Sequence, residues 1–503
     1  MSRIKDTAHD SASKNAKQLR NWLPRKGSAD SDLLPELDTL VSRSRDLVRN
    51  NGIAAGALQT LVDNVVGTGF RLSATPDYRA LGKDKVWAEE FAEKIEMLWR
   101  SWADTDTCDA TRMMNFAGIT SLVYKSSLLN GEALILPLWF PSRKFSTVLQ
   151  VVEADRLSNP NNIADTEKLR GGIEIGAYGT PLAYWIQKYH DGDKFLLQKR
   201  NEWQRIPRRG VFGRLRVIHI HDKERTGQTR GKPVLTSVLS NFKMLGEYES
   251  SELQAAIVNA MIAAFVETPM SGDELRTLFD DSTEEYLKAR NESNIKLQGG
   301  AIIPVFPGDK ISSFTPSRPN TAYSNFVENV LRHIATGLNI PYELLEKDFS
   351  KTNYSSARAA LLEGWRHFAC RRRWLISSFL QPIYELFFEE VVAKGLIDAP
   401  EFFANKYAYT RSKWIGAGRG WIDPVKEVQA AKMRIELGIS TYEDECAAQG
   451  LDWIEVFEQR SREKNKIKEL GLSLNEAGAA IQPEIDITEE TNEEEQDVLE
   501  EEV

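Results

Sequence analysis

The stretch HIHDKE sets His219 and His221 two residues apart and follows them with Asp222. On a strand that spacing puts both imidazoles on one face, and with the carboxylate they make the local form of some metal-hydrolase ligand sets. The competing reading is a strand end that exposes polar side chains. His9, His190, His333 and His367 fall in no matching pattern, and no His-Glu-x-x-His occurs. GAGRG at residues 416–420 lacks the Lys-Ser/Thr that follows in a nucleotide loop, and GTGF from Gly67 does no better. There is no Gly-x-Ser-x-Gly elbow, and Glu89 with Glu90 belongs to the solvated face of a helix. The expectation is a protein that is not an enzyme and needs no cofactor or metal. A metal-dependent hydrolase built on His219, His221 and Asp222 is the alternative.

A different chemistry is offered by EKDFSKTNYSSARAALLEGWRHFACRRRWLISSFLQPIYELFFEE, residues 346–390. Ser350, Lys351, Thr352, Asn353, Tyr354, Ser355 and Ser356 form a polar run with one lysine and no apolar anchor. A mobile loop of this kind touches a phosphate backbone without reading sequence, because phosphate contacts carry no base information. The plainer reading is an interhelical connector. Behind it comes the longest helical pattern in the chain, with Leu361, Trp365, Phe368, Leu375, Phe379 and Phe387 on its buried stripe. At about 100° per residue, Arg358, Arg366 and Arg373 fall within roughly 80° of one another, and Arg371 and Arg372 extend the charge around the helix. Two readings stay open for these arginines: phosphate contact, or pairing with acids of a neighbour.

The elements that must position this stretch follow from hydrophobic periodicity. Helical spacing runs through Leu40, Val41, Leu47 and Val48, then, after Asn51-Gly52, through Ile53, Ala57, Leu58, Leu61, Val62 and Val65. Gly67 and Gly69 end the second helix before a strand. KVWAEEFAEKIEMLWRSWADT is a third amphipathic helix, and a fourth reaches Asn130-Gly131 and the strand EALILPLWF. Residues 132–220 are β-rich, so the first 220 residues read as one α+β domain. About 30 residues of helical period run from Leu239 through Phe265. A charged helix and a Pro/Gly-rich β-like piece fill 267–319. TAYSNFVENVLRHIATGLNI resumes helix until Pro341 stops it. Two long helices thus flank a small α/β insertion. Downstream, Pro424 opens a helix, Gly438 ends it, and Ser440 with Glu443 is expected to cap the next. WIEVFEQRSREKNKIKELGL is the last helix.

The 503 residues carry a net charge of −9, but residues 484–503 hold eleven acids and no base, so the remainder sums to +2. That tail is expected to be solvated and disordered. The first 26 residues hold seven bases and two acids and read as a basic arm, either solubilising or touching nucleic acid. Between Lys199 and Lys232 eleven bases meet three acids, which suggests an edge facing phosphate or a neighbour's acids. No apolar run reaches the ~18 to 20 residues of a membrane span, and the polar N-terminus shows no signal peptide. Cys108, Cys370 and Cys446 are far apart and form no metal or disulfide pattern, which fits a reducing cytoplasm.

The pieces SRDLVRNNGIAAGALQTLVDNVVGTGFRL, NGEALI, RTGQTRGKPVL, LNIPYELLEKDFSKTNYSSARAALLEGWR and WIDPVKEVQAAKMRIELGISTYEDECAAQGLDW span about residues 40–455. In these the chain resembles the lambda-like portal proteins of tailed bacteriophages. The resemblance implies a virion protein at one capsid vertex, made in the host cytoplasm. Its twelve copies would ring a channel through which double-stranded DNA is packaged and ejected. It implies partners in the terminase large subunit, the capsid or scaffold proteins and a head-completion protein, and none in a membrane. By the same resemblance residues 1–30 are a disordered basic arm, 31–232 a wing, 233–266 and 320–346 the two stem helices, and 267–319 the clip. Residues 347–356 are then the tunnel loop, 357–423 the long helix and wing return, 424–476 the crown, and 477–503 the disordered acidic tail. Ser350 to Ser356 would line the channel. A DNA-binding scaffold that forms no ring is a further alternative.

Overall fold

A computed structural model describes residues 9–193, 202–261, 265–267, 310–312, 323–351, 353–419 and 423–470. The chain divides into two units, residues 1–427 and 428–503. In the first, α1 (Ala29–Leu33), α2 (Leu37–Asn50) and α3 (Gly52–Val65) precede the short strand β1 (Arg71–Ala74) and the helices α4 (Lys85–Ala103) and α5 (Phe116–Asn130). All of these helices but α2 start at a side-chain cap. The side chains of Ser28, Asn51, Asp84 and Asn115 accept backbone N–H groups of the first turns they cap. Order therefore reaches back into the expected basic arm: Ala29 and Asp30 are buried in α1, and Asp30 accepts from the Thr229 backbone N–H at 2.8 Å.

Seven strands follow: β2 (Glu132–Trp139), β3 (Thr147–Val152), β4 (Leu169–Arg170), β5 (Ile173–Ile175), β6 (Pro181–Gln187), β7 (Trp203–Pro207) and β8 (Ile218–His221). They form two antiparallel sheets, ordered β3-β2-β8 and β4-β5-β6-β7. Strand alternation decides what lies on each side of the first sheet. Ala133, Ile135, Ile218 and Ile220 join the large helical core. Leu134, Leu136 and Val217 join a second core with Ile173, Tyr184, Ile186 and Ile206. A strand with a core on both faces reads as a near-continuous apolar run, as ALIL does.

Beyond β8, a 3₁₀ turn over Val234–Ser237 leads into α6 (Leu239–Met261). The helical reading through Phe265 fails at its end: β9 (Phe265–Glu267) pairs antiparallel with β10 (Lys310–Ser312). Phe and Val are strand formers when packed on a pleated surface. The charged helix expected at 272–290 lies outside the described residues. Helix α7 (Tyr323–Leu338) packs on α6 through Tyr248, whose ring lies 4.9 Å from Phe326 and 5.8 Å from Tyr323. Asn339, at φ 57°, turns the chain into α8 (Tyr342–Glu346), opened by Pro341. Helix α9 (Tyr354–Leu375) then continues through a π-helical turn, Ile376–Leu380, into α10 (Gln381–Ala393). Pro382 lacks an N–H and its ring collides with the carbonyl four residues back. The wider π-turn immediately before it accommodates that defect without breaking the helix.

The large core closes around an aromatic cluster from distant parts of the chain. Trp102 lies 5.2 Å from Phe387 and 5.6 Å from Phe116, and donates its indole N–H to the Thr147 carbonyl at 2.9 Å. Helix α11 (Lys406–Thr410) and strand β11 (Ser412–Ile415), which the sequence reading passed over, close the unit, β11 pairing with β1.

Helix α12 (Pro424–Glu436) leads into the second unit, with α13 (Tyr442–Ala448) and α14 (Trp453–Glu469). Gly438, at φ 69°, follows α12 as expected. The cap of α13 is Thr441 and not Ser440: its hydroxyl accepts the Asp444 N–H at 3.1 Å, one residue later than expected. Arg434 makes a two-pronged pair with Glu445 at 2.8 and 2.7 Å. None of the described helix residues of this unit is buried.

Candidate DNA-channel segment and the buried charge cluster

The polar run sits between α8 and α9. Lys347, in the left-handed conformation at φ 58°, ends α8. Asp348 accepts the Ser350 N–H at 2.9 Å, which holds its carboxyl below the ordinary range. Asn353 caps α9, its side chain accepting from the Ser356 N–H at 2.8 Å and the Ser355 hydroxyl at 2.9 Å. Tyr354, Ser355 and Ser356 therefore belong to the first turn of the helix and not to a loop. The Asx cap competes successfully for the backbone as soon as Asn353 is reached. Thr352 lies outside the described residues.

Lys351 is exposed, but its amine lies 2.7 Å from a Glu328 carboxylate oxygen. Arg332, one turn along α7, reaches the other oxygen at 2.7 Å. Hydrogen bonds from Lys351 and then Arg332 hold the Glu328 carboxyl below its ordinary value. The segment thus offers hydroxyls, an amide and one cation already matched by an acid. No sequence pattern links positions 328 and 351; only the turn through α8 brings them together.

The five arginines of α9 separate. Arg371 pairs with Asp222 at 2.5 Å, and Arg372 donates to the Asn64 carbonyl at 2.7 Å while lying over Trp365. Arg366 pairs with Glu363, one turn back. Arg358 and Arg373 stay exposed, with no ion pair among the described residues. Part of the basic stretch up to Lys232 is also matched within the chain. Arg205 meets Glu174, Arg214 meets Glu389, Arg225 meets Asp32, and Lys232 meets Glu224.

His219, His221 and Asp222 do not act as one set. The Asp222 carboxylate is turned to Arg371, while His219 bonds Glu132 at 2.9 Å. Among the described residues no three His, Cys, Asp or Glu side chains are placed to hold a metal ion. The histidines are not at an exposed strand end either. Glu132, fully buried, accepts from Arg230 Nε at 2.8 Å, from Arg230 Nη2 and from the Gly231 N–H at 3.1 Å. Arg230 also donates to the carbonyls of Leu157 and Gly171 at 2.8 and 2.7 Å. NGEALI and RTGQTRGKPVL thereby meet. Gly131, at φ 87°, lies against Gly231 and Lys232 so closely that a Cβ on it would stand 2.4 Å from the Lys232 carbonyl carbon. Both motifs contain glycine where backbone meets backbone.

Both ring nitrogens of His221 are buried without a partner. Burial, with the His219 ring 4.5 Å away, pushes its pKa from 6.5 down to about 3. The folded chain keeps this imidazole neutral while the unfolded chain takes a proton below about pH 6.5. Stability is therefore expected to fall as pH drops from 6.5 towards about 3, by up to ~1.4 kcal/mol per pH unit. His221→Leu should flatten that limb in urea titrations; an unchanged slope would show that His221 is not its source.

Residues 15–372 match the model of the phage portal protein, lambda family. The chain belongs to that family. It is 35% identical over 501 residues to the portal protein of Escherichia phage N15, and 34% identical to portal protein B of Escherichia phage lambda. Each match covers 95% of this chain and 93% of the relative. A chain in the neck of an empty gene transfer agent particle overlays it with a TM-score of 0.48, at 13% identity, covering 86% of this chain and 95% of that one. The portal family assignment gives the Glu132–Arg230 cluster a structural place: it joins two of the motifs on which the resemblance rested.

Proposed function

We propose that twelve copies of this chain form a ring at one capsid vertex, and that double-stranded DNA passes through its bore during packaging and ejection. The observation that carries this reading is membership of the lambda portal family, matched across residues 15–372. Residues 31–232 and 357–423 then form the wing. Residues 233–266 and 320–346 form the stem, 424–476 the crown, and 267–319 the clip, where the terminase large subunit and later a head-completion protein dock. Ser350 to Ser356 face the bore, and Arg358 and Arg373 are the α9 arginines left for phosphate or for a neighbouring subunit.

Two features of this chain support the reading. Met244, Leu253 and Ile257 of α6 and Phe326 of α7 are exposed, apolar surface that association would cover. The Lys351–Glu328 pair leaves the segment nearly neutral. A conduit that neutralised many phosphates would release counterions and hold its cargo fast; a matched cation avoids that.

Negative-stain images of the purified chain test the ring directly. Rings with a central hole are expected; particles without one favour the scaffold that forms no ring. Lys351→Ala is expected to leave the rings intact and to change DNA packaging or retention several-fold. Glu328→Gln, which frees the lysine, should shift retention in the opposite direction. Loss of rings in Lys351→Ala would make the segment structural and remove its channel role.

A further inference from the structure

A cleft of about 430 Å³ opens between the two sheets of the first unit. Strands β5 and β6 line it with Ile175, Pro181 and Tyr184, the residue after β7 with Arg208, β8 and the turn beyond it with His221 and Lys223, and α9 with Trp374. Strand pairing fixes these positions. Tyr184 stands opposite Ile173 on β5 and Ile206 on β7. The Arg208 N–H donates to the Leu182 carbonyl at 2.8 Å, which carries the β6–β7 pairing to the edge of the cleft.

The polar groups of this cleft fall into two classes. Acceptors are committed within the chain: the Asp222 carboxylate to Arg371, and the Glu132 carboxylate behind His219 to Arg230. Gln228 donates to the Arg230 carbonyl at 2.9 Å and Thr229 to Asp30 at 3.0 Å, so these two are committed as well. The remaining donors are open. Arg208, half-buried, and Lys223, exposed, have neither an ion pair nor a side-chain hydrogen bond among the described residues. Tyr184 is 2% exposed, and its hydroxyl has no hydrogen bond among the described residues. Burial pushes its pKa up to about 12, against the pull of the nearby Arg208 charge. On the same wall, the ring nitrogens of His221 are unmatched. Buried polar groups normally find partners, so open donors gathered on one concavity, with two positive charges and no uncommitted acid, suit an anionic acceptor.

We propose that this cleft binds a small organic anion, a phosphate head on an apolar or aromatic body. Arg208 and Lys223 pair with the head, the Tyr184 hydroxyl donates to it, and Ile175, Pro181 and Trp374 pack the body. A concavity of a few hundred Å³ with apolar walls and a few convergent polar groups has the character of a small-molecule site. Two cations and a hydroxyl match the nearly divalent, three-oxygen head of a phosphomonoester better than a singly charged carboxylate. Inorganic phosphate alone would leave most of the space unfilled, and a DNA duplex is too wide to enter. The site does not depend on the ring, since one copy holds every group it uses.

Calorimetric titration of the full chain with thymidine monophosphate tests the site. Saturable binding of one monophosphate per chain is expected, with thymidine silent and inorganic phosphate at least about tenfold weaker. Arg208→Gln/Lys223→Gln should weaken the monophosphate at least about tenfold. Arg209→Gln/Arg216→Gln, at two exposed arginines outside the cleft, should leave it unchanged. Lys223→Gln alone, at an exposed position, should weaken binding several-fold and carries the test if the paired variant does not fold. No saturable binding, or an affinity that Lys223→Gln does not lower, overturns the site. Inorganic phosphate bound as tightly as the monophosphate overturns the organic body. A short duplex that displaces the monophosphate assigns the phosphate to a DNA backbone and overturns the free ligand.

Discussion

Glu132→Ala is expected to lower the unfolding free energy by ~3–5 kcal/mol, among the largest effects of any single change in the chain. The loss does not measure how strongly the pair attracts. Arg230 is buried with Glu132, and truncation leaves its guanidinium without a countercharge in a site that water does not reach. The Gly231 N–H and His219 lose their acceptor as well. Replacing both partners by apolar residues of similar size, Glu132→Leu with Arg230→Met, is expected to recover most of the loss. Urea unfolding of the two singles and the double would settle this; a single-mutant cost below about 1 kcal/mol would mean that Arg230 finds water or another acid. Acid should act on the same cluster. Burial alone would raise the Glu132 carboxyl above its ordinary 4.5, but the charges and hydrogen bonds of Arg230 and His219 together outweigh it and hold the carboxyl well below. Stability from this group is present above pH 4.5 and is lost as pH falls through the depressed value, a window that begins inside the one assigned to His221.

Trp102→Ala should cost a similar ~3–5 kcal/mol, by a different mechanism. The indole is fully buried and fills the space where α4, α5, β3 and α10 converge, touching Trp99, Phe116 and Phe387. Its removal leaves a cavity lined by stiff aromatic rings, which relax little, and orphans the Thr147 carbonyl. Trp102→Phe keeps an aromatic ring in the site and loses the indole N–H with part of the volume, so a smaller cost of roughly 1–2 kcal/mol is expected. Equal costs for the two variants in thermal or urea unfolding would show that the hydrogen bond, and not the packing, dominates.

Helices α3 to α5 were readable because their apolar stripes and capping residues agree on the same boundaries, and α2 by its stripe alone. The β-rich texture of 132–220 was readable because strand alternation and Gly/Pro punctuation agree. Unread features depend on partners far off in sequence. Glu132 meets Arg230 across 98 positions, and nothing local distinguishes that glutamate from a surface one. The histidine pair looked like a ligand set because sequence shows spacing but not what faces it, and Asp222 is claimed by an arginine on α9. The π-turn before Pro382 and the strand β11 escaped for a related reason. The first is a local repair with no residue signature, and the second is too short to show a period.

Strand β2 is a common wall, with Ala133 and Ile135 in one apolar compartment and Leu134 and Leu136 in the other. Neither compartment can open without stripping one side of that wall and exposing the backbone groups that pair it with β3 and β8. The helical core and the sheet core that share this wall are thus expected to melt together as one cooperative unit. Such a body passes a pull on one side to the other without a soft joint between them.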